Sequence, residues 1–269
     1  MPGAEAATKR RNVLGPLTAI LNHAEKRGWC DRPHFDLPTV PPSDVAWLTP
    51  AQYLALELGS APHLRPLSRF RVCTGGRLGE SLLLDWREVD LAAGHALFLP
   101  ENTKSRRLRR AALTPSAIAS LSALPHRKGR VFLRPGIGKG KPMEPYADTE
   151  GLMGGQIKTA WNGACRRAGL GSWEGEEDER RFRSAFTPHD LRDSWATWFY
   201  AVSKDPLLLR DEGGWKSVAM VEKYAHLMPM DLVPGIADVW GASHPRIGML
   251  PAPGDTVQNP YSPYSEARK

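Results

Sequence analysis

The chain has 269 residues, long enough for one large domain with appendages and a sizeable core. Its 41% hydrophobic and 24% charged content fits a globular protein, and no apolar run nears the ~18 residues of a membrane helix, so a helical membrane protein is excluded. Lys and Arg outnumber Asp and Glu by 36 to 29, a formal charge of +7 that points to a polyanionic partner.

The opening residues, MPGAEAATKRRNVLG, lack the apolar core of a secretory leader. The three cysteines, Cys30, Cys73 and Cys165, are far apart and form no CxxC pair. Reduced thiols, a cytoplasmic location and no metal site are expected. Residues 11–28 place Leu14, Leu17, Ile20, Leu21 and Ala24 at helical spacing, with Gly28 as a stop. The proline-rich stretch from Pro33 to Pro42 reads as an extended linker. A helix then opens at LTPAQYLALELGS, with Thr49 as cap and Pro50 in the first turn.

SRFRVCTGGRLGESLLLDWREVDL predicts a helix, a break at Gly75 and Gly76, and a second helix. The break exposes Arg77 where a helix begins. That arginine either joins free N–H groups in an anion site or pairs with Glu80 three residues on. HALFLP, LRRAAL and RVFLRP read as short strands, the first two joined by the basic turn ENTKSRR. Lys104, Arg106, Arg107, Arg109 and Arg110 crowd that turn and its exit. Such a cluster can grip a polyanion, although charge alone does not single out one member.

Helices are predicted at 115–123, 155–168, 188–202 and 205–212. SWEGEEDERR, with five acids from Glu174 to Glu179, reads as a polar loop because packed like charges repel. In PHDLRDSWATWFY, His189 and Arg192 are helical neighbours, with Leu191, Trp195, Ala196 and Phe199 as the buried side. A titratable imidazole beside a fixed guanidinium suits proton transfer next to a stabilised anion, or is a surface pair. In GGWKSVAMVEKYAHL, a helix opening at Ser217 puts Met220, Val221 and Tyr224 on one face, nine residues after Trp215. By itself that face is an apolar stripe. The fold class is mainly α (α+β): a catalytic domain at 43–245 with a small antiparallel β-sheet, preceded by residues 1–42. Residues 246–269 read as a disordered tail.

Taken together, these patterns resemble the tyrosine recombinase, or phage integrase, family over residues 45–230. TGGRLGESLLLDWREVDL is similar to that family's first conserved box, and PHDLRDSWATWFY and GGWKSVAMVEKYAHL to its second. The resemblance implies a site-specific DNA recombinase of phage or prophage type. In such enzymes a tyrosine hydroxyl attacks a phosphodiester, giving a 3′-phosphotyrosyl link and a free 5′-hydroxyl, with no cofactor and no metal. Carried over, Tyr224 is the nucleophile, Arg77 and Arg192 clamp the phosphate, and His189 helps move the tyrosine proton. Lys104 protonates the leaving oxygen, Trp215 takes a place often held by histidine, and Glu80 orients Arg77. Arg106, Arg107, Arg109 and Arg110 contact DNA.

Double-stranded DNA is the implied partner, with a homotetramer on two sites, accessory DNA-bending proteins, and exchange of a C-terminal segment such as 228–245. Residues 11–33 are similar only to the last helix of the family's core-binding domain, so weak DNA affinity beside complete catalytic residues is expected. The acidic loop is expected to point away from DNA. Asp193, where histidine is common, is given no catalytic part. Two other readings share these residues: a type IB topoisomerase-like enzyme, and a DNA-binding remnant unable to recombine.

Overall fold

The computed structural model describes residues 5–31, 37–40, 44–103, 106–138, 140–146, 153–176, 179–225, 227 and 229–250. The chain divides into two compact units, Met1–Asp44 and Val45–Lys269. The first is helical: α1 (Ala6–Lys9) runs through a π-type turn at Arg10–Leu14 into α2 (Gly15–Lys26). Gly28, with φ of +69°, follows its end. None of these helical residues is buried, so the apolar stripe of Leu17 and Ile20 lies open within the unit.

The second unit begins with α3 (Pro50–Gly59), α4 (Leu64–Thr74) and α5 (Leu78–Leu82). Thr49 caps α3 as the sequence predicts: its Oγ1 accepts the Gln52 N–H at 3.2 Å while Gln52 Oε1 accepts the Thr49 N–H at 2.9 Å. Such a reciprocal cap contributes about 1 kcal/mol. A three-stranded antiparallel sheet follows, β1 (Val89–Asp90), β2 (His95–Phe98) and β3 (Arg109–Ala112), with Phe98 opposite Arg109 and Leu97 opposite Arg110. After it come α6 (Pro115–Ser122), the paired strands β4 (Leu133–Pro135) and β5 (Met143–Pro145), and α7 (Met153–Arg167).

Strands β6 (Gly171–Glu174) and β7 (Arg181–Ser184) form a hairpin where the sequence suggests a polar loop. The pairing sets Glu174 opposite Arg181 and Trp173 opposite Phe182, and Arg183 reaches Glu174 at 3.4 Å. Opposite charges across the ladder thus answer Glu174, and the two rings meet edge to face at 5.7 Å. Glu177 and Asp178 lie outside the described residues.

Helix α8 (Asp190–Ser203) is the central strut. Leu191, Trp195, Ala196 and Phe199 are buried as expected, but so are Arg192, Asp193, Ser194, Thr197, Trp198 and Ala201. Several polar groups of this enclosed helix find internal partners, although the Trp195 indole N–H and Thr197 Oγ1 do not. Ser194 Oγ accepts the Leu48 N–H at 2.8 Å, and Trp198 donates to the Leu48 carbonyl at 3.0 Å.

Helix α9 (Pro206–Gly213) is capped by Asp205. Beyond it the structure departs from the predicted single helix. Residues Val218–Met220 form a 3₁₀ turn and α10 (Glu222–Ala225) is one turn long; the Ser217 side chain makes no capping bond. Met220 is 47% exposed while Val221 and Tyr224 are at 1%, because the change in helix type rotates Met220 off the buried face.

Helix α11 (Val233–Trp240) packs on α3, α6 and α8 of its own chain, and Trp240 donates to the Val72 carbonyl at 3.0 Å. Strands β8 (Ser243–His244) and β9 (Gly248–Met249) pair after it, so order extends past residue 246, where the sequence suggests a tail. Residues 251–269 lie outside the described residues. The unit is a mainly helical α+β fold with small antiparallel sheets. No helix among the described residues is long and apolar enough to cross a membrane.

Candidate active site

Helix α4 ends because Gly75 takes the left-handed conformation, φ +63°. A Cβ there would lie 2.2 Å from the Trp195 ring, so the break needs glycine for both conformation and space. The turn starts α5 at Arg77. Arg77 donates from Nη1 to Glu80 Oε1 at 2.6 Å and from its backbone N–H to Glu80 Oε2 at 3.1 Å. The structure shows the pairing of Arg77 with Glu80, while the Arg77 side chain keeps 27% of its surface open.

Glu80 is buried and also accepts Arg109 Nη2 at 3.4 Å. Burial pushes its carboxyl up, but Arg109 and Arg77 outweigh that and hold it below the usual carboxylate range.

Arg109 does not belong with the surface contacts. It is 7% exposed, donates from Nη1 to the Thr74 and Glu212 carbonyls at 3.2 and 2.9 Å, and stacks 4.3 Å over the Phe98 ring. Its Nη atoms are engaged by acceptors of the protein itself. Arg106, Arg107 and Arg110 are exposed and can make those surface contacts. Lys104, the expected general acid, lies outside the described residues.

Arg192, on α8, is 3% exposed. It donates to the Gly75 carbonyl at 2.5 Å and to the Gly213 carbonyl at 2.6 Å, tying the glycine break to the end of α9. Burial, with the nearby Arg109 and Arg77 charges, pulls its guanidinium down to about 9. Trp215 lies beneath it, ring centroid 4.3 Å from the guanidinium carbon. That indole stacks on Trp195 at 6.1 Å and meets the Tyr224 ring at 5.7 Å.

Tyr224 is 1% exposed. Its hydroxyl donates to Asp193 Oδ1, which also takes Lys223 Nζ at 3.1 Å. Burial first, and then the Asp193 charge, drive the phenol far above its ordinary value. His189 stands at the start of α8, its side chain largely exposed, with Nε2 at 3.8 Å from Asp193 Oδ2. Burial lowers its imidazole, with Arg71 and Arg192 adding and Asp193 opposing.

The structure thus gathers Arg77, Glu80, Arg192, Trp215, Tyr224 and His189 from three separate stretches of chain. Two residues that the sequence reading passes over join them. Arg71, 1% exposed, donates to the Gly76 carbonyl at 3.1 Å and the Pro188 carbonyl at 2.6 Å, which ties the glycine break to the residue before His189. Asp193, given no part from sequence, accepts the hydrogen bond of the Tyr224 hydroxyl. Its signal was its place four residues after His189, one helical turn away on the same face.

Guanidinium groups around one tyrosine suit an anion of trigonal or tetrahedral shape held beside an oxygen nucleophile. Comparison with known proteins places the chain in a family. The profile of the phage integrase family matches residues 52–230. The integrase of Salmonella phage P22 is 29% identical over 253 residues, covering 91% of this chain and 62% of that protein. Among solved structures, a lambda integrase dimer bound to a COC′ core site aligns with a TM-score of 0.59 and 18% identity, over 83% of this chain and 75% of that one. The integrase of transposon Tn1549, with circular intermediate DNA, aligns with a TM-score of 0.57 and 17% identity, over 82% and 75%. These likenesses establish the fold. The chain spans 62% of the length of the P22 relative.

Proposed function

Because the chain belongs to the phage integrase family, we propose that it is a site-specific DNA recombinase that cuts and rejoins DNA through a 3′-phosphotyrosyl link at Tyr224. One observation carries the reading: Tyr224 and Arg192 both pack against a single indole, Trp215, so nucleophile and anion clamp are placed by one rigid plate. Arg77, kept in position by Glu80, supplies a second guanidinium. Extra negative charge on the five-coordinate phosphorus would be met by donors already fixed by backbone carbonyls. Bond energy passes from phosphodiester to phosphotyrosine and back, so no cofactor is needed. Lys104 is assigned as the acid for the leaving 5′-oxygen, and Arg106, Arg107 and Arg110 as backbone contacts.

Double-stranded DNA is the proposed substrate, bound by a tetramer on two sites, with accessory bending proteins. Residues 1–42 are assigned as the end of a core-binding domain and 43–245 as the catalytic domain; the division at Asp44/Val45 supports that assignment. In the state described, α11 is packed on its own chain, so exchange between protomers would require it to undock.

The test is a nicked suicide duplex carrying the attachment core from the DNA that flanks the gene. A covalent adduct that maps to Tyr224 and disappears in Tyr224→Phe is expected. DNA bound without any adduct would leave only a binding protein and refute the enzyme.

A further inference from the structure

Transfer of the tyrosine proton is the step that His189 is expected to help, yet the hydroxyl does not face that ring. It points at a carboxylate on the next turn of α8. Asp193 is 8% exposed and is held by three groups: Tyr224 and Lys223 on Oδ1, the latter at 3.1 Å, and His189 with Nε2 at 3.8 Å from Oδ2. Arg192 is its chain neighbour, so clamp and carboxylate ride on one buried helix. Tyr224 itself is seated by the Trp215 ring at 5.7 Å and by the Lys223 ammonium 4.6 Å over its face.

Resting on the recombinase reading of this site, we infer that Asp193 is a further catalytic residue: its carboxylate accepts the Tyr224 proton in strand cleavage and returns it on rejoining. In cleavage the Oη–H bond breaks as the Oη–P bond forms, and the proton passes to Oδ1. The P–O5′ bond breaks, its electron pair leaving on the 5′-oxygen, which takes a proton from Lys104 or water. On rejoining, the 5′-hydroxyl attacks phosphorus and the protonated Asp193 gives its proton to the departing phenolate.

The chemistry requires such an acceptor. A free phenol has a pKa of ~10 and this one is pushed higher, so no phenolate stands ready beforehand. The hydroxyl becomes strongly acidic only as it bonds to phosphorus, and a carboxylate already hydrogen-bonded to it takes the proton at that moment. Water is an inadequate substitute, because the hydroxyl and the carboxylate are both buried. Lys223 keeps the carboxylate oriented, and His189 stands 3.8 Å from Oδ2, with Asp190 and Arg71 in its own field.

The experiment is single-turnover cleavage by the full chain of two suicide duplexes, one with the natural 5′-oxygen and one with a bridging 5′-sulfur. The sulfur leaves without needing a proton. Asp193→Asn should lose about 10²–10⁴-fold on both duplexes at pH 7, the range for a lost general base, with DNA affinity unchanged. Its residual rate should climb with pH as hydroxide takes over.

Rates equal to or above wild type would overturn the inference, since the carboxylate then only holds the tyrosine back; a loss constant across pH would make it merely positional. Both outcomes leave the recombinase reading intact, because the wild-type adduct still forms. A wild type without adduct overturns both. Should Asp193→Asn fail to fold, difluorotyrosine at position 224 in the otherwise native chain decides the matter. A shallow response to the more acidic phenol supports a base. A rate gain of about tenfold per unit of phenol pKa means phenolate forms first and overturns it.

Discussion

Glu80 contacts two buried or half-buried arginines, Arg77 and Arg109, and Glu80→Gln removes its charge while preserving its shape. At 3% exposure it accepts Arg77 Nη1 at 2.6 Å, the Arg77 N–H at 3.1 Å and Arg109 Nη2 at 3.4 Å. Arg77 can turn to water, so its half of the loss is small. Arg109 cannot: it is buried, and its guanidinium is already lowered by desolvation. Stripping one partner from a buried pair costs about 3–5 kcal/mol. For a domain of this size each kcal/mol is roughly 2–4 °C, so melting should fall by roughly 6–20 °C at pH 7. The pH dependence has a definite sign. The Glu80 carboxyl is held below its ordinary value, so its stabilisation is complete above the unfolded pKa of ~4.3 and is lost as pH falls through the folded one. Melting curves of wild type and variant should therefore be far apart at neutral pH and draw together in acid. Equal melting temperatures at pH 7 would refute the reasoning.

Two other outcomes follow from the same geometry. Gly75→Ala forces a left-handed alanine, about 1 kcal/mol, and sets a methyl 2.2 Å from the Trp195 ring, about 1–3 kcal/mol more of overpacking; the urea midpoint should report the sum. Cleavage should fall with it, because the Gly75 carbonyl holds Arg192. Replacing Arg106, Arg107 and Arg110 with Ala together should lower the salt slope of DNA binding by about 2–3 without loss of folding, whereas Arg109→Ala should destabilise the fold instead; anisotropy titrations across salt concentrations and thermal melts separate the two.

What the sequence made legible was local pattern, and what it hid was the partner across the chain. Thr49, Gly75 and the buried side of α8 act through neighbours within a turn or two, so their roles can be read along the string. Arg109 shows the opposite case. In a run of four arginines, charge does not say which side chain faces inward. Strand alternation does: Arg109 and Ala111 are buried while Arg110 is exposed, a period of two that becomes visible once the Phe98–Arg109 register is known. The hairpin at 171–184 was hidden for a related reason. Its five acids look repulsive in a line, but Arg181 and Arg183 meet Glu174 across the ladder. Met220 was misplaced because a spacing of three or four presumes one continuous helix, and a 3₁₀ turn comes first.

The charge balance of the site argues for what it is built to receive. Arg77, Arg109 and Arg192 feel one another, and Glu80 is the acid that the three share. Arg192 is fixed by two carbonyls, which supply dipoles but no full negative charge, and its guanidinium is lowered by burial first and then by the Arg109 and Arg77 charges. Neutralising the excess of positive charge inside the protein would make the fold more stable, and a second buried carboxylate would do so. Glu212, a second buried acid near Arg109, is shared with Arg246 at 2.8 Å, and Asp193 faces the tyrosine. The deficit is then filled by a ligand bearing negative charge. A phosphodiester supplies one such charge in the ground state and more as phosphorus becomes five-coordinate, so the attraction grows along the reaction path. On the proposed chemistry, the stability forgone in the free protein is recovered in the transition state. That explains why the arginines are crowded here rather than paired one to one.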